Sequence, residues 1–405
     1  MLVYDCIVVG GGPAGLMAAN QLKNLSYLLL EKNERVGKKL MLTGGKRCNV
    51  TNVLSKEAFM SSLNSTKSKF LYKALSSFGK EDILSFFKER GLNLKLEQNF
   101  KFFPETEKSK DVLSCLIRDI DLDRIRFNQA VKTIRSMNDF YEIETKTDKF
   151  LSKNVILCMG SNAYPTTGSS GDIIRLSEAF EIKYKPFSPA EAPIYLEDIV
   201  KYKDLQGVSL STTLRMNTRK KVFEGDLIFT HFGLSGPLIL HISELIDEDL
   251  SQSPVTLSFS LIEKDFDTKW LEATADNLRL YPFIESLTQK RLAKFIVEET
   301  NIENKRLKEL SKKDIHKLKE ALTNFTVRVL KVEDKEKSFV NAGGVLLDEL
   351  NPNTMELKKV PGLYVCGESI DLAGPIGGFN ITIAMSTGHL AGEAVHRKMM
   401  TDNKN

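Results

Sequence analysis

The first part of the chain contains the feature that most restricts its fold. The apolar run "CIVVG" leads into a glycine pattern at Gly10, Gly12 and Gly15, and helix-forming residues follow it. A strand that is apolar throughout indicates a parallel strand covered on both faces. A second apolar segment, "YLLLE", ends in Glu31, about 20 residues after the glycine pattern. This order predicts a β-α-β unit that binds the ADP half of a dinucleotide.

Each of the three glycines in this loop has a different expected structural role. Gly10 permits the tight turn, Gly12 lets the backbone approach a pyrophosphate, and Gly15 lets the helix pack close to the sheet. Glu31 is expected to accept hydrogen bonds from the ribose hydroxyls. The predicted cofactor-binding loop comprises Gly10, Gly12, Pro13, Ala14 and Gly15.

A similar arrangement recurs near the end of the chain, in "LYVCGESIDLAGPIGGFN" (363–380). If this strand joins the sheet beside the first strand, its turn reaches the same ligand, because parallel strands end at one edge. Glu368 and Asp371 are then placed to hold a polyol chain, and the helix from Gly378 points its N-terminus at the far end of the cofactor. NAD has no such polyol, whereas FAD has a ribityl chain. The sequence therefore predicts FAD, bound non-covalently, because no His or Cys lies in an evident flavin-tethering motif.

The pattern of hydrophobic residues divides the chain into two parts. Residues 55–120 are predicted to be mainly helical and 124–158 to form a meander of short strands. Between 191 and 344, strand-like segments surround a helical block at about 265–322. We expect an FAD-binding domain made of 1–190 and 345–405, with 191–344 inserted as a second domain.

Composition excludes several classes of protein. The 405 residues carry a formal net charge of +4, which does not favour a nucleic-acid partner. No apolar run reaches the roughly 18 residues of a membrane helix. The five cysteines are scattered without a C-x-x-C pair, so no metal site, disulfide framework or dithiol centre is indicated. The N-terminus lacks the features of a secretory signal, and we expect a cytoplasmic protein.

Taken together, these segments resemble the BaiN-like, aminoacetone oxidase family of FAD-binding enzymes. These are two-dinucleotide-fold flavoproteins, often described as NAD(P)/FAD-dependent oxidoreductases. The resemblance implies an α/β fold in which a Rossmann-like, doubly wound FAD-binding sheet is split in sequence by an inserted flattened β-barrel and a small helical subdomain. The motifs that carry it are "VGKKLMLTGGKRCNVTN" (36–52), "FPETEKSKDV" (103–112), "LCMGSNAYPTTGSSGD" (157–172), "FTHFGLSGP" (229–237), "NAGGVLLDELNPNTMELKKVPGLYVCGE" (341–368) and "GPIGGFN" (374–380).

The resemblance also extends the predicted cofactor site by position. The chain departs from the family pattern at Lys46 and Ser161, where glycine is expected. The further residues assigned to the cofactor are Lys32, Lys39, Arg47, Asn49, Val131, Gly160, Gly367, Glu368, Asp371, Gly377, Gly378, Phe379, Asn380 and Ile381.

Three residues are candidates for the chemistry itself. Arg47 could bind an anionic substrate or the flavin oxygens, and the alternative is an arginine that stabilises its loop. Cys48 could be a thiol facing the flavin, although inert packing is favoured because it has no partner cysteine. His231 could be an acid or base, and a loop histidine bonded to backbone is an equal alternative.

The expected function is an FAD-dependent oxidoreductase acting on a small-molecule metabolite. Two alternatives remain open: a flavoprotein that binds and modifies RNA, and a non-catalytic FAD-binding module. Only one G-x-G-x-x-G follows a strand and opens a helix, so NAD(P)H is expected at most as a transient electron donor. The sequence leaves the substrate and the oligomeric state open.

Overall fold

The computed structural model describes residues 2–63, 67–97, 100–263 and 265–402. The strands are β1 (Val3–Val9), β2 (Tyr27–Leu30), β3 (Thr51–Asn52), β4 (Leu94–Leu96), β5 (Lys101–Pro104), β6 (Ile125–Arg126), β7 (Thr133–Ser136), β8 (Tyr141–Glu144), β9 (Lys149–Leu157), β10 (Tyr184–Ala190), β11 (Ile194–Leu196), β12 (Ser209–Met216), β13 (Arg219–Phe229), β14 (Gly233–Ser235), β15 (Thr256–Phe259), β16 (Phe325–Val332), β17 (Val340–Val345) and β18 (Leu363–Val365). The helices are α1 (Pro13–Asn20), α2 (Thr43–Lys46), α3 (Lys56–Ser61), α4 (Tyr72–Ser77), α5 (Lys80–Glu89), α6 (Ser109–Ile117), α7 (Asp172–Ala179), α8 (Pro237–Leu250), α9 (Phe266–Ala275), α10 (Leu280–Leu287), α11 (Lys290–Thr300), α12 (Lys312–Thr323) and α13 (Phe379–Asp402).

The chain folds into two compact units. The first comprises Met1–Ser188 and Lys335–Asn405, and the second comprises Pro189–Asp334. The chain re-enters the first unit at Lys335, ten residues before the predicted boundary at 345. The reason is β17, which lies against the backbone of Lys185 and Pro186 and bridges to Ile370 through Val345.

The first unit is built on a sheet with strand order β6-β2-β1-β9-β8-β7, and β18 also pairs with β9. The strands β2, β1, β9 and β18 run parallel. Val9 is in register with Leu30 on one side and with Leu157 on the other, and Leu157 is in register with Val365. The carboxyl ends of four strands therefore meet at one edge, where ligands bind in sheets of this kind.

The position of β18 corrects the prediction that it lies beside the first strand. Both edges of β1 are taken, by β2 and by β9. The first half of β9 pairs with β8, as Ser152 does with Tyr141, and its last residues, Val155–Leu157, are left to pair with β18. The edge of β9 opposite β1 thus pairs with two strands, one after the other.

Close backbone approach between α1 and α13 covers one face of this sheet. A Cβ added at Gly388 would lie 2.1 Å from the Ala14 carbonyl oxygen, and one at Gly392 would lie 2.5 Å from that of Ala18. Every residue of α1 except Pro13 is buried. These glycines are required because any side chain there would push the two helices apart.

The second unit contains the inserted barrel that the resemblance implied. Its strands close in the order β11-β14-β13-β12-β15-β16, and α9–α12 form the predicted helical block. The helix α8 has a buried face of Leu238, Ile239, Ile242 and Ile246 at helical spacing. The predicted fold class, a Rossmann-like α/β domain with a barrel and helices, is confirmed.

The mainly helical prediction for 55–120 needs one correction. The segment also contains the β4–β5 hairpin, in which Lys95 pairs with Phe103 and which joins β3 through Phe102. None of the helices in the described part of the chain is both long and apolar enough to cross a membrane.

Candidate functional site

An open cleft lies at the carboxyl ends of the parallel strands. Its walls come from the loops after β1, β2, β9 and β18 and from the start of α13. Of the residues predicted to hold the cofactor, those that line the cleft are Gly10, Gly12, Pro13, Ala14, Glu31, Lys32, Lys39, Val131, Gly160, Gly367, Glu368, Asn380 and Ile381. Those that lie outside its lining are Gly15, Arg47, Asn49, Asp371, Gly377, Gly378 and Phe379.

The glycine loop has the geometry that its sequence predicts. Gly10 has φ +104°, and a Cβ there would lie 2.3 Å from the Cys158 carbonyl oxygen. A Cβ at Gly15 would lie 1.9 Å from the Gly10 oxygen, so the helix could not pack where it does. At Gly12 an added Cβ meets nothing within 4 Å. The space beside Gly12 is therefore open to a ligand, next to the N-terminus of α1 and the N–H groups of its first turn.

Glu31 is buried and anchors this loop as well as facing the cleft. Its Oε2 accepts a hydrogen bond from the Gly11 N–H (2.8 Å). Its Oε1 accepts from the N–H (2.9 Å) and the Nδ2 (2.7 Å) of Asn33. A carboxylate has about four acceptor positions, so capacity remains for a ribose hydroxyl.

Two lysines from the loop after β2 form ion pairs at the cleft walls. Lys39 Nζ lies 2.5 Å from Glu368 Oε2, which also accepts from Ser161 Oγ (3.0 Å). Lys32 Nζ lies 2.6 Å from Asp172 Oδ2. Glu368 thus lies at the cleft wall, as predicted, and Lys39 balances its charge. Nothing in the local sequence of either residue indicates this pairing, because they are 329 positions apart.

Asp371 is buried just beyond the cleft lining. It forms an ion pair with Lys67, and its Oδ1 accepts from the Gly343 N–H (3.2 Å). Sequence reasoning missed Lys67, because it lies in a loop with no recognisable motif. Asp371 connects β17 to the turn after β18, and its predicted contact with the polyol stays a prediction.

The loop after β2 and the glycine pair before α13 meet at β3. The Asn52 side chain donates to the Gly377 carbonyl oxygen (3.0 Å). With its amide oxygen facing α13, Asn49 accepts from the Gly378 N–H (3.0 Å). A Cβ at Gly378 would lie within 2.8 Å of three backbone atoms of Thr51. Two motifs more than 300 residues apart in sequence (325 positions from Asn52 to Gly377) are therefore held together by side-chain hydrogen bonds and close backbone contacts.

The segment from Gly44 to Cys48 has four residues at positive φ, of which Lys46 and Cys48 are strained because they are not glycine. Gly44, Gly45, Lys46 and Cys48 have φ of 55°, 66°, 71° and 64°. The expectation of glycine at Lys46 follows from this geometry, because only glycine adopts positive φ without steric cost. The chain instead places an exposed lysine there.

Arg47 does not present a free cation to a ligand. Its guanidinium forms ion pairs with Glu97 and Glu107 and lies 4.1 Å from the centre of the Phe103 ring. Lys95 pairs with Glu107 as well. The assignment of Arg47 to an anionic substrate or to the flavin oxygens stays a prediction. The geometry favours the alternative, an arginine that ties its loop to the β4–β5 hairpin.

Cys48 is corrected as a catalytic candidate. Its side chain is fully buried, and burial raises the pKa of the thiol to about 12. A thiol with that pKa carries almost no thiolate at neutral pH, so it behaves as a small apolar side chain. His231 belongs to the second unit, where its exposed ring packs edge-on against Phe232 (4.9 Å between ring centres). Its acid or base role stays a prediction.

Two further predicted cofactor residues have structural partners. The Val131 carbonyl oxygen accepts from Arg175 (3.1 Å), and its second lone pair or the Val131 N–H group would serve a contact with adenine. Phe379 stacks on Phe59 with ring centres 4.5 Å apart, within the hydrophobic core. Its side chain therefore packs the start of α13 and does not face the cleft.

These features together fit FAD. The open space beside Gly12 suits a pyrophosphate, and Glu31 suits the ribose. The wall around Glu368 leads from that point toward Asn380 and Ile381, which lie at the N-terminus of α13. Among the described residues, no group of three or more His, Cys, Asp or Glu side chains could hold a metal ion.

The fold and the cleft define a dinucleotide-binding flavoprotein of the Rossmann class. Residues 4–394 match the model of the family described as the HI0933-like protein Rossmann domain. The chain belongs to this family of FAD-binding oxidoreductases, and the resemblance seen in the sequence is confirmed.

Two curated relatives match almost the whole chain and have different activities. A ribosomal RNA dihydrouridine synthase of Haemophilus influenzae is 25% identical over 97% of this chain and 98% of its own length. A 3-dehydro-bile acid delta(4,6)-reductase of Clostridium scindens is 26% identical over 96% of this chain and 98% of its own length.

A solved structure supports the fold alone. The 3-ketosteroid delta1-dehydrogenase of Sterolibacterium denitrificans superposes with a TM-score of 0.54 at 11% identity, covering 98% of this chain and 100% of that one.

Proposed function

We propose that this protein is an FAD-dependent reductase that saturates a carbon–carbon double bond conjugated to a carbonyl group in a small molecule. The observation that carries the proposal is the cleft: a glycine loop with open space at Gly12, Glu31 opposite it, and a polar wall leading to the start of α13. This arrangement supports binding of the whole length of FAD in one orientation.

The names of the two curated relatives support the type of bond. Forming dihydrouridine saturates a ring double bond of uridine that is conjugated to a carbonyl group. A delta(4,6)-reductase acting on a 3-dehydro-bile acid also saturates double bonds conjugated to a ketone. The substrates differ greatly in size, but the reaction is the same: a hydride adds to one carbon and a proton to its neighbour.

FAD, when bound, supplies the hydride. The residues of this chain bind and orient it: the α1 N-terminus and the Gly12 backbone at the pyrophosphate, and Glu31 at the ribose. The α13 N-terminus lies at the other end of the cleft, where it would stabilise negative charge by about 0.3–1 kcal/mol. That effect tunes the cofactor and is too small to account for the rate of the reaction.

A small-molecule substrate is favoured over RNA by the charge of the chain. A net charge of +4 on 405 residues gives little non-specific attraction to phosphates. RNA remains the second candidate, because the Haemophilus influenzae relative carries an RNA-modifying name.

The test is an anaerobic half-reaction. The purified protein is expected to release intact FAD on denaturation. Its flavin is then reduced with a measured amount of dithionite and mixed with an unsaturated ketone, a saturated ketone, uridine, or ribosomal RNA lacking dihydrouridine. Rapid reoxidation by the unsaturated ketone alone is the expected result. Reoxidation by RNA would establish the second candidate, and reoxidation by none of them would refute both.

A second measurement concerns the electron donor. Any NAD(P)H would have to enter the substrate region, because only one G-x-G-x-x-G in the sequence follows a strand and opens a helix, and FAD is expected to occupy it. We expect slow or weakly saturating reduction by NADH and NADPH in stopped-flow experiments. Fast reduction that saturates at micromolar concentration would show that a nicotinamide site exists.

A further inference from the structure

Two cysteines far apart in sequence meet at the base of the cleft. Cys158 follows β9 and Cys366 follows β18, and their Sγ atoms lie 3.1 Å apart although 208 positions separate them in the chain. Both residues line the cleft. The sequence offered no sign of this pair, because a pairing across neighbouring strands leaves no C-x-x-C pattern.

The strand pairing around the two cysteines indicates a Cα separation that a disulfide bond can span. Val365 is in register with Leu157 in parallel pairing, so Cys366 and Cys158 are the next residues along two adjacent strands. Neighbouring strands are about 4.7–4.9 Å apart. This spacing lies within the range of about 4.4–6.8 Å between the Cα atoms of disulfide-bonded cysteines. Closing the bond therefore requires movement of the sulfur atoms and little movement of the backbone.

The pair also supports the dinucleotide loop. A Cβ added at Gly10 would lie only 2.3 Å from the Cys158 carbonyl oxygen, so the loop packs directly against this residue. On the other strand, Gly367 and Glu368 follow Cys366 and form part of the cleft wall. A change in the spacing of the two cysteines would shift both walls of the cofactor site.

We propose that Cys158 and Cys366 form a reversible oxidation site, closed to a disulfide by a small peroxide that enters the cleft and protected when FAD fills it. In the first step the Cys158 thiolate attacks hydrogen peroxide, giving a sulfenic acid and hydroxide. The Cys366 thiol then attacks that sulfur, the S–S bond forms, and water leaves. Two thiols lose two electrons in total, the peroxide accepts them, and two waters are produced. A thiol reductant restores the pair.

Cys158 is the expected point of attack, because it is 7% exposed whereas Cys366 is 0% exposed. Burial raises the pKa of the Cys158 thiol, so its thiolate is scarce and the reaction is slow. Slow access through the cleft makes the rate sensitive to whatever occupies the cleft. Cofactor binding and disulfide formation are therefore expected to oppose each other.

The experiment counts thiols in the FAD-loaded protein and in the same protein stripped of FAD. Each is treated with hydrogen peroxide, denatured, labelled with N-ethylmaleimide, digested and analysed by mass spectrometry. The stripped protein is expected to lose two of its five thiols, to yield a linked peptide pair containing Cys158 and Cys366, and to regain both thiols with dithiothreitol. The FAD-loaded protein is expected to lose them more slowly.

Cys115→Ser is the matched control, because Cys115 is a buried cysteine outside the cleft lining. It should leave the linked pair unchanged, whereas Cys366→Ser should abolish it. Since the main readout is made on the unmodified chain, poor folding of a variant does not affect it. A linkage through other cysteines, sulfinic acid at Cys158 without a linked pair, or no loss of thiols would overturn the proposal. Equal rates with and without FAD would overturn the protection by the cofactor. None of these outcomes depends on the substrate or on the reductase activity.

Discussion

The sharpest test of the cofactor site is a pair of glycine substitutions within one loop. Gly12 has φ −83° and ψ −177°, which alanine adopts without strain, and its added methyl group meets nothing within 4 Å. In the FAD-free protein, Gly12→Ala should therefore leave the free energy of unfolding unchanged or raise it by about 0.4–1 kcal/mol, through the unfolded chain.

The same methyl group should interfere with the cofactor. If the pyrophosphate lies against Gly12, the methyl group occupies part of its space, and overpacking costs about 1–3 kcal/mol. The dissociation constant for FAD should then rise about 5- to 150-fold, because each 1.4 kcal/mol is a factor of ten. The expected result is a variant that is as stable as the original chain but holds FAD poorly.

Gly15→Ala is the matched control in the same motif. Its Cβ would lie 1.9 Å from the Gly10 carbonyl oxygen, so α1 would have to move away from β1 with or without cofactor. This variant should lower the melting temperature of the FAD-free protein as well as the affinity for FAD.

The assay is the thermal unfolding of FAD-stripped protein, followed by titration of FAD with its fluorescence as the signal. Holo and apo melting temperatures are compared for each variant, because a ligand that binds only the folded state raises the first and not the second. An unchanged dissociation constant for Gly12→Ala would place the pyrophosphate elsewhere. A loss of apo stability in Gly12→Ala as large as that in Gly15→Ala would refute the contact argument itself.

Three further substitutions test other parts of the structure. Glu31→Ala should raise the dissociation constant for FAD about tenfold or more. It should also lower the stability of the FAD-free protein, since each buried donor left unpaired costs about 1–3 kcal/mol. FAD titration and urea unfolding measure the two effects, and an unchanged affinity would place the ribose contact at another residue. Lys46→Gly should raise the free energy of unfolding by about 1 kcal/mol, because glycine removes the steric strain of a lysine at φ 71°. The control Lys108→Gly, at φ −130°, should lower the free energy of unfolding. Equal effects of the two substitutions in urea unfolding would contradict the strain at Lys46. The His389 ring stacks on Phe78 with ring centres 4.6 Å apart, and burial lowers the pKa of the His389 ring. The unfolded chain therefore binds a proton at this residue more readily than the folded chain does. The contribution of neutral His389 to the free energy of unfolding is fully present above about pH 6.5 and is lost as the pH falls below that value. His389→Phe should therefore lose less stability on acidification than the original chain. Parallel losses for the two proteins would refute this assignment.

Local patterns were sufficient to predict much of this fold. The apolar strand, the glycine spacing and Glu31 lie within about 30 residues, and their geometry follows from backbone sterics and helix packing alone. The strands at 209–216 and 325–332 and the helical block from 265 also follow from local periodicity. The sequence-based site and the observed cleft agree best where the reasoning used such short segments.

The differences concern contacts between distant segments. The sequence left two roles open for Arg47, a ligand-binding cation or an arginine that stabilises its loop, and its partner Glu107 lies 60 residues away. The pairing of β18 with β9 depends on how β9 divides its length between two neighbours, which no single segment indicates. Glu31 was expected to serve the cofactor, but its bond to the Gly11 N–H shows that it also holds the loop in place.

The packing of α1 against α13 has a consequence for the order in which the protein is made. The apolar helix α1 leaves the ribosome about 370 residues before the glycines that cover it, Gly388 and Gly392. At about 5–20 residues per second, translation leaves that helix without its partner for on the order of tens of seconds. During this time the nascent chain has neither a complete core nor a complete cofactor cleft, since Asn380 and Ile381 belong to the cleft as well. The cleft can therefore hold flavin in full only after α13 has been synthesised, and a chain that stops before α13 would expose its first helix to chaperones and proteases.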